Sequence, residues 1–297
     1  MDLPGRNTEP VIMTAKNPVS TVCVALLSTF VAACSPLDAV NMVSPKSASI
    51  IRSSMSYGID TRQELDIYMT DEVTEGSPVV VFFYGGSWTS GAKEKYRFVG
   101  EAISGRGYVT VIPDYRLYPQ VKFPAFVEDG ARVLAWASEH ITQAENGVVV
   151  MGHSAGAHTA ALLALDHRYV EQTGLPTSFI RGMVGLAGPY GFNPLQFKNT
   201  RPIFEGVEPL DRARPVTFGC SSRSPMLLFH GAGDTLVYPE NSRELRQRVE
   251  ACGGTVQYYE LEKTGHFTIV LGLSDSFLRK QSLFIPLDAF LEQLSQQ

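Results

Sequence analysis

Between Val148 and Leu165 the chain passes from a run of apolar residues, Val148-Val149-Val150-Met151, through Gly152-His153-Ser154-Ala155-Gly156 into an alanine-rich stretch. A continuous β-branched run bounded by glycine reads as a strand buried on both faces. The stretch from Ala155 to Leu165 reads as a helix. Almost nothing separates the two, so the turn between them must be sharp, and Ser154 stands at its tip. Strand, G-x-S-x-G and helix in that order form a nucleophile elbow, which holds the serine in a strained backbone conformation with its hydroxyl exposed. Side chains at 152 and 156 would collide with the neighbouring strand and helix, hence the two glycines.

The surrounding sequence repeats this strand–helix alternation. Leu65 to Met69 alternates like a half-buried strand. Val79 to Phe83, Tyr108 to Ile112, Met183 to Leu186, Met226 to Phe229 and Val256 to Leu261 read as further strands. Helical patterns run from Pro124 to Ile141, Asn241 to Ala251 and Leu283 to Leu294. The expectation is an α/β fold with a mainly parallel central sheet and helices on both faces. A length of 297 residues suits one large α/β domain or two small ones. One stretch departs from the pattern. Pro189, Pro194, Pro202, Pro209, Pro215 and Pro225 punctuate residues 189–225, which read as a short cap-like insertion over the carboxyl ends of the strands.

A nucleophilic serine needs a base and an acid. Of His140, His153, His158, His167, His230 and His266, only His266 lies well downstream, after the last strand. His158 suits packing or capping of the helix. His153 occupies the variable elbow position at the edge of the substrate pocket. The acid should follow a strand between Ser154 and His266, and Asp234, after Met226 to Phe229, does so; Glu205, Glu208 and Asp211 are the alternatives. Such an acid holds the histidine tautomer and stabilises the imidazolium.

After the strand Val79 to Phe83 comes Tyr84-Gly85-Gly86-Ser87-Trp88. With this, the chain from about Leu65 to Leu294 resembles the α/β-hydrolase superfamily, in its hormone-sensitive-lipase-like and feruloyl-esterase-like carboxylesterase branch. The resemblance implies that the N–H groups of Gly86, Ser87 and Ala155 form an oxyanion hole. Tyr84 stands where the family usually has His, a residue that braces the loop. Asp114-Tyr115-Arg116-Leu117 also matches a family signature, and the resemblance implies that Asp114 and Arg116 tie the oxyanion loop to the sheet. A surface ion pair is the plainer reading. Gly85, Trp88, His153 and Phe192 are candidate pocket residues, although aromatics in these stretches serve equally well in a core.

The N-terminus reads as an address. Val19 to Ala33 is apolar, Lys16 precedes it, and it ends Val31-Ala32-Ala33-Cys34. The run has the length of a signal-peptide core and is short for a membrane span. The ending resembles a bacterial lipobox, so residues 1–33 are expected to be a signal peptide and Cys34 the lipidated mature N-terminus; a plain secretory signal or a helical anchor are the alternatives. Met13 gives a more usual signal length than Met1. Ser35 lacks the Asp that favours inner-membrane retention in lipoproteins, which points to the outer membrane. Residues 34–54 read as a flexible tether, leaving 55–297 as the catalytic domain.

The expected activity is hydrolysis of a small-molecule carboxylic ester through an acyl-enzyme on Ser154. An aryl formamidase is the second reading, because Gly152 to His158 also resembles those enzymes. A prolyl-oligopeptidase-type peptidase fits less well, since Ala157 stands where its second glycine would be. A catalytically dead binding protein is the reading from outside enzymology. The formal net charge of −5 argues against a nucleic-acid partner. The four cysteines lack zinc-site spacing, and nothing indicates a metal or an organic cofactor. Cys220 and Cys252 are either a disulfide or buried thiols.

Overall fold

A computed structural model describes residues 36–44, 50–145, 147–221, 224–274 and 279–296. The chain opens with helix α1 (Pro36–Val43) and strands β1 (Ile50–Ser56), β2 (Glu64–Thr70) and β3 (Val79–Phe83). Helix α2 (Arg97–Ser104) leads to β4 (Val109–Pro113), and α3 (Ala125–His140) to β5 (Val148–His153). Then follow α4 (Ala155–Leu165), the short α5 (Arg168–Glu171), β6 (Ile180–Leu186) and α6 (Arg201–Phe204). The chain ends with β7 (Met226–Gly231), α7 (Glu240–Ala251), β8 (Val256–Leu261), α8 (His266–Leu271) and α9 (Gln281–Ser295).

The strands form one eight-stranded sheet in the order β1-β2-β4-β3-β5-β6-β7-β8. From β4 onward in that order every pairing is parallel, and only β1 and β2 run antiparallel to their neighbours. The uninterrupted apolar runs have the expected cause: every residue of β3, β4 and β5 is buried. Parallel strands keep both faces covered by helices, so no polar alternation appears. Helix α4 is buried along its whole length, and its alanines allow close approach to the sheet. Because β3, β5, β6, β7 and β8 are parallel, their carboxyl ends share one edge, the usual place for a site in such sheets.

The expected tether is corrected here. Residues 36–44 and 50–54 belong to the folded body. Val40 of α1 is buried, the Phe98 N–H donates to the Asn41 side chain across 3.1 Å, and Arg97 donates to the carbonyls of Asn41 and Ser44. Strand β1 pairs with β2 over its full length, from Ile50 opposite Thr70 to Ser56 opposite Glu64. As an edge strand it is almost wholly exposed, so it carries no burial pattern to read. The signal sequence and Cys34 lie outside the described residues.

The proline-rich insertion is packed down as short helical turns at Pro194–Gln196, Arg201–Phe204, Leu210–Ala213 and Pro215–Phe218. Ile203, Phe204 and Ala213 are fully buried. A main-chain bond from Phe123 N to Ile203 O holds it to the body, and one from Val216 N to Tyr190 O ties its two ends together. A disulfide joins Cys220, at its end, to Cys252 after α7.

Candidate active site

Ser154 is held at φ 55° and ψ −123°, a conformation that an L-residue adopts only under constraint. The constraint is visible in its glycine neighbours. A Cβ on Gly152 would lie 2.4 Å from the Gly156 backbone, and one on Gly156 would lie 2.0 Å from Phe83 O. The turn is as tight as the sequence demands, and the Ser154 N–H donates to Leu186 O.

The Ser154 hydroxyl lies 2.8 Å from His266 Nε2, and His266 Nδ1 lies 2.7 Å from Asp234 Oδ2. An ionised carboxylate only accepts, so Nδ1 carries the hydrogen and Nε2 presents a lone pair to the serine. The other Asp234 oxygen accepts from the N–H groups of Leu236 and Val237, both at 2.9 Å. Burial alone would raise this carboxyl's pKa. The neighbouring His230 and His266 imidazoles and the Val237 amide outweigh it and hold the group far below the carboxylate range. Asp234 is therefore charged, and Glu205, Glu208 and Asp211 are not the groups beside His266.

His230, unremarked in the sequence, is a second support for the acid. Its Nε2 donates to Val237 O at 2.8 Å and stands 3.5 Å from Asp234 Oδ2, so its contribution to the carboxylate is a nearby dipole rather than a short bond. Ser242 donates to its Nδ1 at 2.7 Å. The four-residue spacing His230 to Asp234 was the available signal.

The loop after β3 lies against the elbow: a Cβ on Gly85 would come within 2.9 Å of Ser154 Cβ. Gly86, Ser87 and Trp88 all have positive φ, at 140°, 54° and 59°. The N–H groups of Thr89 and Ser90 close the turn on Gly86 O. Among the described residues, the N–H groups of Gly86 and Ser87 find no partner within the chain. The Ala155 N–H opens α4 and is one of that helix's free donors.

Tyr84 anchors this loop. Its hydroxyl donates to Asp114 Oδ1 at 2.5 Å and accepts from Arg62 at 2.7 Å, while its ring stacks between Tyr96 and Tyr115. Asp114 also accepts from Lys93 N, so half of the expected brace is present. Arg116 is the correction: its guanidinium pairs with buried Asp129 on α3, not with the loop after β3.

The candidate pocket residues divide. Trp88 is only 2% exposed, stacked on Phe126 and Phe192 and edge-on to His158 and Phe204, so it belongs to the core. His153 is equally buried, with Nε2 2.8 Å from His266 O. Phe192 is half-buried against Trp88, and Gly85 lies against Ser154. His158 packs as expected, with Nε2 donating to Ala213 O of the insertion at 2.8 Å.

An eight-stranded, mainly parallel sheet with a serine elbow after β5, an acid after β7 and a histidine after β8 is the α/β-hydrolase fold. Within it, the BD-FAE family profile matches residues 65–249, and the chain belongs to that family. Isoprenylcysteine alpha-carbonyl methylesterase ICME of Arabidopsis thaliana is 29% identical over 231 residues, covering 70% of this chain and 54% of the relative. Esterase LipC of Mycobacterium tuberculosis is 28% identical over 240 residues, covering 72% of this chain and 59% of its own. The chain thus spans little more than half the length of these relatives. Inhibited esterase B from Lactobacillus rhamnosis shares the fold, with a TM-score of 0.74 at 18% identity over 94% of this chain and 97% of that one.

Proposed function

We propose that this chain is a serine hydrolase of carboxylic esters. The observation that carries the reading is the unbroken line from Ser154 Oγ through His266 to Asp234. In the proposed reaction His266 Nε2 takes the hydroxyl proton as Ser154 Oγ attacks the ester carbonyl. The tetrahedral oxyanion is held by the N–H groups of Gly86, Ser87 and Ala155, each such donor being worth about 10²–10³ in turnover. Collapse breaks the bond to the alkoxy oxygen, which leaves with the proton from His266. Water, deprotonated by the same imidazole, then releases the acid and restores Ser154. The esterase names of the relatives support this substrate class.

A panel of nitrophenyl esters of increasing acyl length, with a feruloyl ester and an N-formyl arylamine, tests it. Ester turnover with little action on the formamide is expected; the reverse preference would make the chain a formamidase.

The envelope location is a second proposal, resting on Val31-Ala32-Ala33-Cys34. Lipid on Cys34 would anchor the hydrolase to the outer membrane, each buried methylene adding about 0.8 kcal/mol. Mass spectrometry of the mature N-terminus decides it. An acylated Cys34 is expected, and an uncleaved chain with unmodified Cys34 would refute it.

A further inference from the structure

We propose that His153 is a positioning residue that pins the main chain of the catalytic base to the strand carrying the nucleophile. This rests on the serine-hydrolase reading. Strand β8, which leads to His266, lies at the sheet edge, and β6 and β7 separate it from β5. The segment after β8 must therefore arch across two strand ends to bring an imidazole to Ser154. It does so through irregular backbone, with Lys263 at φ 53°. Asp234 fixes the far side of the His266 ring but cannot fix the distance of the arch from the elbow. His153 does: it is the last residue of β5, and its Nε2 meets His266 O at 2.8 Å across 113 residues of sequence.

A carbonyl oxygen only accepts, so Nε2 bears the hydrogen and Nδ1 is a lone pair. The clamp therefore works with a neutral ring. Burial, with the adjacent His266 imidazole adding to it, pushes His153 down to about 3, and Asp234 and His230 are the other titratable groups around it. Neutrality suits the site, because the two imidazole centroids are 4.9 Å apart and a charged His153 would oppose the imidazolium formed in turnover. Among the described residues Nδ1 finds no hydrogen-bond partner, and it faces Gly85, where a Cβ would lie 3.0 Å away. One ring thus touches the base's backbone and the glycine preceding the oxyanion donors, while its own backbone carries the nucleophile.

The test compares His153→Phe, which keeps ring volume but loses the donor, with His153→Gln, which keeps an N–H. Misplacement of a catalytic group by about 1 Å costs up to about 10²-fold, so His153→Phe should lose about 10–100-fold in kcat on a short nitrophenyl ester. KM should stay within about twofold, because substrate contacts are unchanged. His153→Gln should retain most of the turnover. The low-field proton resonance of the His266 Nδ1–H should shift in His153→Phe and persist in His153→Gln. Should His153→Phe fail to fold, His153→Asn, too short to span the bond, must show the same kcat loss. Wild-type turnover in His153→Phe, or equal losses in Phe and Gln variants, would overturn the clamp. A wild-type chain that hydrolyses no ester would instead overturn the serine-hydrolase reading.

Discussion

Ser154 Oγ stands 2.8 Å from His266 Nε2, although the two are 112 positions apart in sequence. The serine side chain contributes little packing, since its hydroxyl faces the site. Ser154→Ala should therefore leave thermal unfolding unchanged and abolish ester turnover. His266→Ala should lose nearly as much, since members of such a unit fail together. Steady-state rates and circular dichroism on both purified variants check this.

Asp234→Asn should keep the turn, because the amide oxygen can still accept from Leu236 and Val237. The amide nitrogen would then face His266 and favour the tautomer with its hydrogen on the serine side. A loss of about 10⁴ in kcat is expected. Near wild-type turnover would mean that another carboxylate serves as the acid.

Tyr84→Phe removes a hydroxyl that both donates to Asp114 and accepts from Arg62. Asp114, whose pKa burial raises, loses one of the bonds that favour its charge. The expected cost is about 1–3 kcal/mol of stability. Turnover should fall too, because Gly86 and Ser87 lie two and three residues further along the same loop. Urea unfolding and kcat measured together check the coupling.

Two buried imidazoles predict acid sensitivity. Burial lowers His153 to about 3 and His158 to about 4. Above pH ~6.5 both are neutral whether the chain is folded or unfolded, so they add no pH dependence. Below it the unfolded chain binds protons that the folded chain refuses. Stability should then fall by about 1.4 kcal/mol per pH unit for each histidine, down toward the folded values. Asp234, held low, adds its own loss only on further acidification. Urea unfolding at pH 7.5 and pH 5.5 measures the slope; equal stability at the two pH values would contradict it.

The disulfide between Cys220 and Cys252, 32 residues apart, fastens the end of the insertion to the end of α7. Closing a loop of that length should stabilise the fold by about 3–4 kcal/mol. The double variant Cys220→Ala/Cys252→Ala should show that loss in chemical unfolding, and thiol reductant should lower Tm in the wild type only.

The meeting of Ser154, His266 and Asp234 was legible because each sits in a local pattern, a strand followed at once by a polar turn. Asp234 follows Met226 to Phe229, and His266 follows Val256 to Leu261. The sheet core was legible for the same reason. What local pattern cannot carry is the partner chosen across the sheet. Trp88 is a core residue because Phe126, Phe192 and Phe204 come from three separate segments to enclose it. Arg116 turns to Asp129 because α3 brings a buried carboxylate within reach. Strand β1 was missed because Ile50–Ser56 is an exposed edge without alternation.

Quenched-flow mass spectrometry during hydrolysis of a slow nitrophenyl ester tests the central claim most directly. The account predicts a burst of nitrophenol matched by one acyl group on the peptide that contains Ser154, absent from Ser154→Ala. Steady ester turnover with no acyl adduct, or an adduct on any other residue, would contradict it.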